Sequence, residues 1–223
     1  MGKATIRYYF DYVSPYSYLG YHVLTRLREH WPIETVLCPV RLPHVIKATK
    51  NSPPASVPAR AVFLGKDLKR TASAYNIPLN LPKNFLSISM KSAELITLAL
   101  QQSHEGLDHE FALQVWDQFF GKGNGDLFQS GSLIELKPLL LQIGLSDEQA
   151  NDVLAGAQTC ADQLVALTDE AIEEGAFGAP TLILTKSDGC KEMFFGSDRF
   201  HHIALSLGED PALPYQLLMK SKL

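Results

Sequence analysis

The run Phe10-Asp11-Tyr12-Val13-Ser14-Pro15-Tyr16-Ser17-Tyr18-Leu19-Gly20 constrains the fold more than any other stretch of the chain. Residues 6–11 read as a short buried strand, and Pro15 opens a helical pattern predicted to reach residue 30. Proline suits the first helical position, because its missing N–H would lack an intrahelical partner there anyway. Ser14 therefore falls at the cap, beside free N–H groups and the positive end of the helix dipole. Such a corner stabilises an anion. Residues 33–39 read as the next strand, which gives a β-α-β unit with a parallel strand pair.

Two later stretches complete a pattern with this corner. Gly175-Ala176-Phe177-Gly178-Ala179-Pro180-Thr181 precedes the apolar run Leu182-Ile183-Leu184. A proline at a strand entrance is not an ordinary ladder residue, and sequence alone leaves its peptide isomer open. Phe194-Phe195-Gly196-Ser197-Asp198-Arg199 reads as a strand passing into a helix over residues 198–207, capped by Ser197 and stopped by Gly208. A helix N-terminus of that kind suits a carboxylate.

The intervening hundred or so residues are largely helical by pattern. Phe111, Val115 and Phe119 fall four apart on one helical face that begins near Asp108. Ser132-x-x-Glu135 and Ser146-x-x-Gln149 are two capping-box patterns. Pro138 demands a kink or a late start in the helix that Ser132 would open. Gly123-Asn124-Gly125 marks a loop. A helix after Thr159 runs to Gly175, a residue suited to the position just past a helix end. Strands follow near residues 181–185 and 192–195.

Ser14 and Ser17 stand where thioredoxin-like proteins carry a C-x-x-C pair. The corner keeps the geometry for a sulfur anion, but the protein supplies no sulfur; a bound thiol ligand would. The three stretches in this order, with Asn51 ahead of Pro53-Pro54 and the run Pro82-Lys83-Asn84-Phe85-Leu86-Ser87, resemble the kappa-class glutathione transferases over nearly the whole chain. Tyr18 departs from the Trp expected after the Ser-Pro-Tyr-Ser run, and Ala179 from the Leu expected before the proline. The resemblance implies an α/β fold: a discontinuous thioredoxin-like domain over residues 1–59 and 164–223, with a large inserted all-helical domain over residues 60–163. It implies a cis proline at Pro180 facing the corner, a homodimer, and glutathione as co-substrate with no bound cofactor.

It also implies roles, each with a plainer reading beside it. Ser14 would donate a hydrogen bond to the glutathione thiolate, flanked by Pro15 and Tyr16, or be a cap that only satisfies backbone donors. Ala179 and Pro180 would offer backbone to the cysteinyl unit, as extended peptides pair with strand-like segments. Ser197 and its helix N-terminus would hold the γ-glutamyl carboxylate. Asp198 would accept from the ammonium, or be an acid in a first helical turn. Asn51 would hold the glycyl end, or be a turn residue. Tyr16 borders the electrophile pocket or merely covers the helix, and Ser17 is explained equally well by packing. A free thiol titrates near about 8.5, and each unit of depression corresponds to about 1.4 kcal/mol of preference for the anion. A hydroxyl hydrogen bond and a helix N-terminus each contribute on that order. No Ser-His-Asp pattern surrounds Ser14, so it reads as a donor rather than a nucleophile.

Composition narrows the alternatives. A net charge of −4 over 223 residues gives no reason to expect nucleic acid as partner. Lys47, Lys50, Arg60, Lys66, Lys69 and Arg70 stand against Asp67 alone in their stretch, either as a solvated basic face or as a steering field for an acidic ligand. Cys38, Cys160 and Cys190 form no C-x-x-C and read as free thiols in a reducing or peroxide-handling compartment. No His, Cys and carboxylate spacing forms a zinc pattern, so no metal is expected. No segment has the length of a membrane span, and residue 1 lies almost at the first strand, so neither membrane insertion nor a secretory signal is expected. Ile6 breaks a myristoylation motif. The terminal Ser221-Lys222-Leu223 matches the peroxisomal import tripeptide, which points to an import receptor and a peroxisomal address, with mitochondrial or cytoplasmic as the alternative. Pro211 and Pro214 disfavour a long helix ahead of it.

The resulting expectation is a glutathione transferase acting on small electrophiles or hydroperoxides. The alternatives are a glutathione-dependent isomerase of the hydroxychromene carboxylate type and a non-catalytic thioredoxin-like binding or chaperone module. A disulfide oxidoreductase is disfavoured by the two serines.

Overall fold

The computed structural model describes residues 3–83 and 85–220. Its four-stranded sheet has the order β2-β1-β3-β4, with β1 (Ala4–Phe10), β2 (Ile33–Pro39), β3 (Thr181–Thr185) and β4 (Lys191–Phe195). β1 runs parallel to β2 and antiparallel to β3, and β4 closes the edge antiparallel to β3. Tyr8, Tyr9 and Phe10 are all buried, as expected of a strand covered on both faces. Edge strand β4 instead alternates exposed and half-buried residues.

Helix α1 (Pro15–Leu27) joins β1 to β2. It stops short of the predicted residue 30. Pro32 disfavours helical backbone at Trp31, and the Trp31 N–H folds back onto the Leu27 carbonyl at 2.9 Å. Between β2 and β3 lie α2 (Leu42–Ala48), α3 (Pro58–Tyr75), α4 (Lys91–Ser103), α5 (Leu107–Trp116), α6 (Lys137–Gln142), α7 (Asp147–Ala157) and α8 (Ala161–Glu173). Helices α9 (Phe200–Leu207) and α10 (Leu213–Lys220) follow β4.

Sheet and inserted helices share one core. The rings of Phe10, Tyr12 and Tyr21 pack around Trp116 of α5 at centroid distances of 5.1, 5.0 and 5.1 Å. Aromatic pairs of this kind add about 0.5–1.5 kcal/mol beyond the area they bury. Helix α4 is buried without a break from Ala93 to Leu100, because α5, α7 and α8 pack around it. The fold is thus a thioredoxin-like sheet with a large helical insertion. The insertion's boundaries at residues 60 and 163 remain a proposal: α3 runs across the first, and α8 begins just before the second.

Several local expectations hold, and several change. Phe111, Val115 and Phe119 are all buried, but the α-helix gives way to a π-helical turn over Asp117–Gly121. Ser146 and Gln149 form the predicted capping box. Ser132 does not cap. Ser130 Oγ takes Glu135 instead, at 2.6 Å, and a 3-10 turn over Leu133–Leu136 precedes a late α6 with Pro138 in its first turn. Gly175 and Gly208 end their helices at φ of 95° and 76°, a backbone region open to glycine at little cost. An eight-residue α10 forms where the prolines spoke against a long helix, since Pro214 sits in the first turn, where its missing N–H is tolerated. Ser221, Lys222 and Leu223, like Asn84, lie outside the described residues.

Candidate active site

The corner between β1 and α1 is held by short-range hydrogen bonds. Asp11 Oδ1 accepts from the Val13 N–H at 2.9 Å, and the Asp11 carbonyl accepts from the Ser14 N–H at 3.0 Å. Ser14 is in extended backbone, as a cap residue must be, and its Oγ accepts from the Ser17 N–H at 3.1 Å. Pro15 contributes no N–H, so Tyr16 presents the first donor of the helix. From inside the core, the Tyr8 hydroxyl donates to the Ser17 carbonyl at 2.7 Å and fixes this turn. Ser17 is fully buried and serves the corner through its backbone, not its hydroxyl.

Ser14 Oγ donates in turn to the Ala179 carbonyl at 3.1 Å, and the Ala179–Pro180 peptide is cis. The structure therefore brings the corner and the proline loop into direct contact across 165 residues. Asn51 joins the same loop, its Nδ2 donating to the Phe177 carbonyl at 2.8 Å. The Pro180 carbonyl accepts from the Gly196 N–H at 3.0 Å, which places the segment after β4 next in line.

That segment differs from the sequence expectation. Ser197 does not cap a helix. Gly196, at φ of 99°, turns the chain; Ser197 and Asp198 form a turn; and α9 begins only at Phe200, with Arg199 in the cap position. Ser197 is instead packed on α1. A Cβ added at Gly20 would lie 3.3 Å from both Ser197 Cα and Cβ, and 2.8 Å from the Tyr8 hydroxyl. Asp198 is open to solvent and pairs with Arg199 at 2.8 Å.

Tyr16 does not face open solvent as a lid would. It is half-buried, and its hydroxyl donates to Asp67 Oδ2 on α3 at 2.8 Å. Burial, then Asp67 and Asp198, push its phenol upward. Burial likewise pushes the Tyr75 phenol up to about 12, with Asp198, Tyr215 and Asp67 adding to it. Asp67 and Asp198 thus make a negative rim between α1, α3 and the turn at 196–198. Asp67 is the lone acid of its basic stretch, and that was the signal available in the sequence; Gly20 gave none. The six basic residues around it are all exposed, as a solvated face would be.

The protein's own sulfurs are poor nucleophiles. Burial pushes the Cys38 thiol up to about 12, and Cys160 is raised by the same cause. Exposed Cys190 is raised by its neighbour Asp188. Among the described residues no cluster of His, Cys, Asp and Glu could hold a metal ion. What the arrangement offers is a hydroxyl at a helix N-terminus, a strand-like backbone beside it, and a polar rim on one side.

The sequence profile of the DSBA-like thioredoxin domain matches residues 5–208. Glutathione S-transferase kappa 1 of Caenorhabditis elegans is 33% identical over 224 residues, covering 98% of this chain and 97% of the relative. The 2-hydroxychromene-2-carboxylate isomerase of Pseudomonas sp. (strain C18) is 28% identical over 209 residues, covering 92% and 91%. A solved structure of a 2-hydroxychromene-2-carboxylate isomerase superposes with a TM-score of 0.74 at 24% identity, over 92% of this chain and 94% of that one. On its fold, the serine corner facing a cis proline and this likeness over its whole length, the chain belongs to the kappa-class glutathione transferases.

Proposed function

We propose that the protein binds glutathione across the Ser14 corner and the Ala179–Pro180 loop, and activates its thiol for attack on a small electrophile. The hydrogen bond from Ser14 Oγ to the Ala179 carbonyl carries this reading. The Ser14 oxygen is fixed by the Ser17 N–H, so only its proton needs to rotate. A bound cysteinyl N–H takes over the Ala179 carbonyl as a strand partner would. The Ser14 proton then turns to the sulfur. Together with the dipole of α1, this charge-assisted bond favours the thiolate, and the thiol proton leaves to solvent. Thiolate sulfur supplies the electron pair of the new C–S bond, and a halide or other leaving group departs with the pair of the old one. Asp198 accepts from the γ-glutamyl ammonium, Ser197 borders the adjoining carboxylate, and Asn51 marks the glycyl end. Pro15 and Tyr16 wall the sulfur's surroundings.

The test is ultraviolet titration of bound glutathione in wild type and Ser14→Ala. The expected result is a thiolate band at neutral pH in wild type that moves to higher pH in the variant. A binding module without catalysis gives no such band and consumes no electrophile. A second reading, glutathione-dependent isomerisation, is favoured by the likeness to the Pseudomonas isomerase. There the C–S bond forms and later breaks, so glutathione is returned. A screen that follows free glutathione separates the two: conjugation depletes it, and isomerisation does not.

Dimerisation and address belong to the same proposal. A homodimer predicts twice the chain mass by light scattering at micromolar concentration. The peroxisomal address rests on residues 221–223. Imaging an N-terminally tagged chain with and without them is its test, and diffuse signal from the intact chain would rule it out.

A further inference from the structure

Behind the corner lies a carboxyl pair that the proposed chemistry does not use. Asp11 is 1% exposed and Glu94 of α4 is fully buried. Both Asp11 oxygens are taken, Oδ1 by the Val13 N–H and Oδ2 by the Leu42 N–H at the head of α2, each at 2.9 Å. Glu94 Oε2 accepts from Arg41 Nη1 at 2.8 Å, but Glu94 Oε1 is buried with no donor among the described residues. The two buried carboxyls lie within hydrogen-bonding reach of each other, and the Arg41 guanidinium, whose charge acts on both, hydrogen-bonds only Glu94. An unpaired buried charge is costly, so such a group keeps its proton instead.

We infer that Glu94 is protonated on Oε1 and donates that proton to Asp11, so that the pair shares one proton and holds the Ser14 corner from behind. The bond satisfies the one oxygen left without a donor. It ties α4 to the turn that ends at Ser14, since Asp11 also receives the Ser14 N–H at its carbonyl. Glu94 thus acts through Asp11 as a positioning residue; its effect on glutathione rests on the function proposed above, whereas the shared proton does not.

The surroundings agree. Burial and the neighbouring Asp11 push the Glu94 carboxyl well above the usual range, and Arg41 only partly offsets them. The other facing groups are few. Tyr12 at the corner is buried with its hydroxyl on Thr97, and feels Asp108 of α5 as well as Glu94. Helix α8 offers the Thr168 hydroxyl to the Arg41 N–H, while its Asp169 is exposed beside His44 of α2. The acids of α7 (Asp147, Glu148 and Asp152) point to solvent. From β2, Leu37 offers its carbonyl to Gln101 of α4, and Cys38 stays protonated.

The sign of the pH effect follows. A carboxyl raised in the folded state favours folding below its unfolded value, and that stability is lost as pH rises toward the folded value. Glu94→Gln keeps a donor to Asp11 and an acceptor for Arg41 but cannot ionise. Infrared difference spectroscopy at neutral pH should show a protonated-carboxyl stretch in wild type and its loss in Glu94→Gln. The melting temperature of wild type should fall relative to that variant as pH rises through the neutral range. Turnover should survive in Glu94→Gln and drop by on the order of a hundredfold in Glu94→Leu, the cost of a misplaced corner. A wild-type spectrum without the band, or a band that survives in Glu94→Gln, overturns the inference. Glutathione affinity, measured separately by calorimetry, tests the functional reading: its absence in wild type would sink that reading while the infrared result still decides the shared proton.

Discussion

The two serines at strand-to-helix junctions, Ser14 and Ser197, look alike in the sequence and behave differently in the fold. Ser14 caps α1, receives the Ser17 N–H and reaches the Ala179 carbonyl. Ser197 caps nothing, because α9 begins three residues later. The residue beside each serine explains the difference. Pro15 fixes φ for a first helical turn directly after Ser14. Gly196, before Ser197, adopts φ of 99° and turns the chain first. One serine is therefore placed by its own helix, and the other by what it packs against, the face of α1 at Gly20. A hydroxyl held by its own helix is the better candidate for chemistry, and one held by packing the better candidate for shape.

The largest effect that could break this comparison is at Ser14. Ser14→Ala should lower turnover by on the order of a hundredfold, the usual loss of one preorganised donor, with little change in glutathione affinity. The same change should cost about 1 kcal/mol of stability as a lost cap, measured by urea denaturation. A variant with full turnover at neutral pH would remove Ser14 from the mechanism. Next is Gly20→Ala. Its methyl would press on Tyr8 and on Ser197, at an expected cost of about 1–3 kcal/mol for overpacking, with weaker glutathione binding. Gly65→Ala on α3 is the control. A Cβ there meets nothing within 4 Å, so a gain of about 0.5–1 kcal/mol is expected. If both variants change stability alike, the packing account of Ser197 fails.

Smaller effects sharpen the contrast. Asp198→Ala should weaken glutathione binding about tenfold, equivalent to about 1.4 kcal/mol, and leave saturated turnover nearly unchanged; an unaltered dissociation constant would count against its contact with the ammonium. Smallest of all, Ser197→Ala should not show the cap loss of about 1 kcal/mol expected at Ser14. A comparable drop in its urea midpoint would mean that Ser197 holds backbone donors after all.

Much of the fold was legible because its signals are local. Pro15 after Ser14 marked the start of α1, Gly175 and Gly208 marked helix ends, and the apolar run at residues 182–184 marked β3, since each acts through its own backbone. The failures were local patterns overruled by neighbours: Ser132 lost its box partner to Ser130, and Ser197 lost its helix to Gly196. Ser14, Asn51 and Ala179–Pro180 could be named from the sequence, but their meeting could not be derived from it. That meeting depends on β1 pairing with β3, which brings Ser14 to Ala179 across 165 residues. Residues that act only through such contacts left no trace in pattern. Gly20 shows its purpose only when Ser197 arrives against it, and Glu94 reads as an ordinary helical acid until α4 is buried against Asp11. What the chain determined alone was where helices start and stop, because capping and dihedral limits are fixed within a few residues. What only the tertiary structure decided was which hydroxyl meets which carbonyl and which carboxyl must keep its proton, because those depend on burial and on partners distant in sequence.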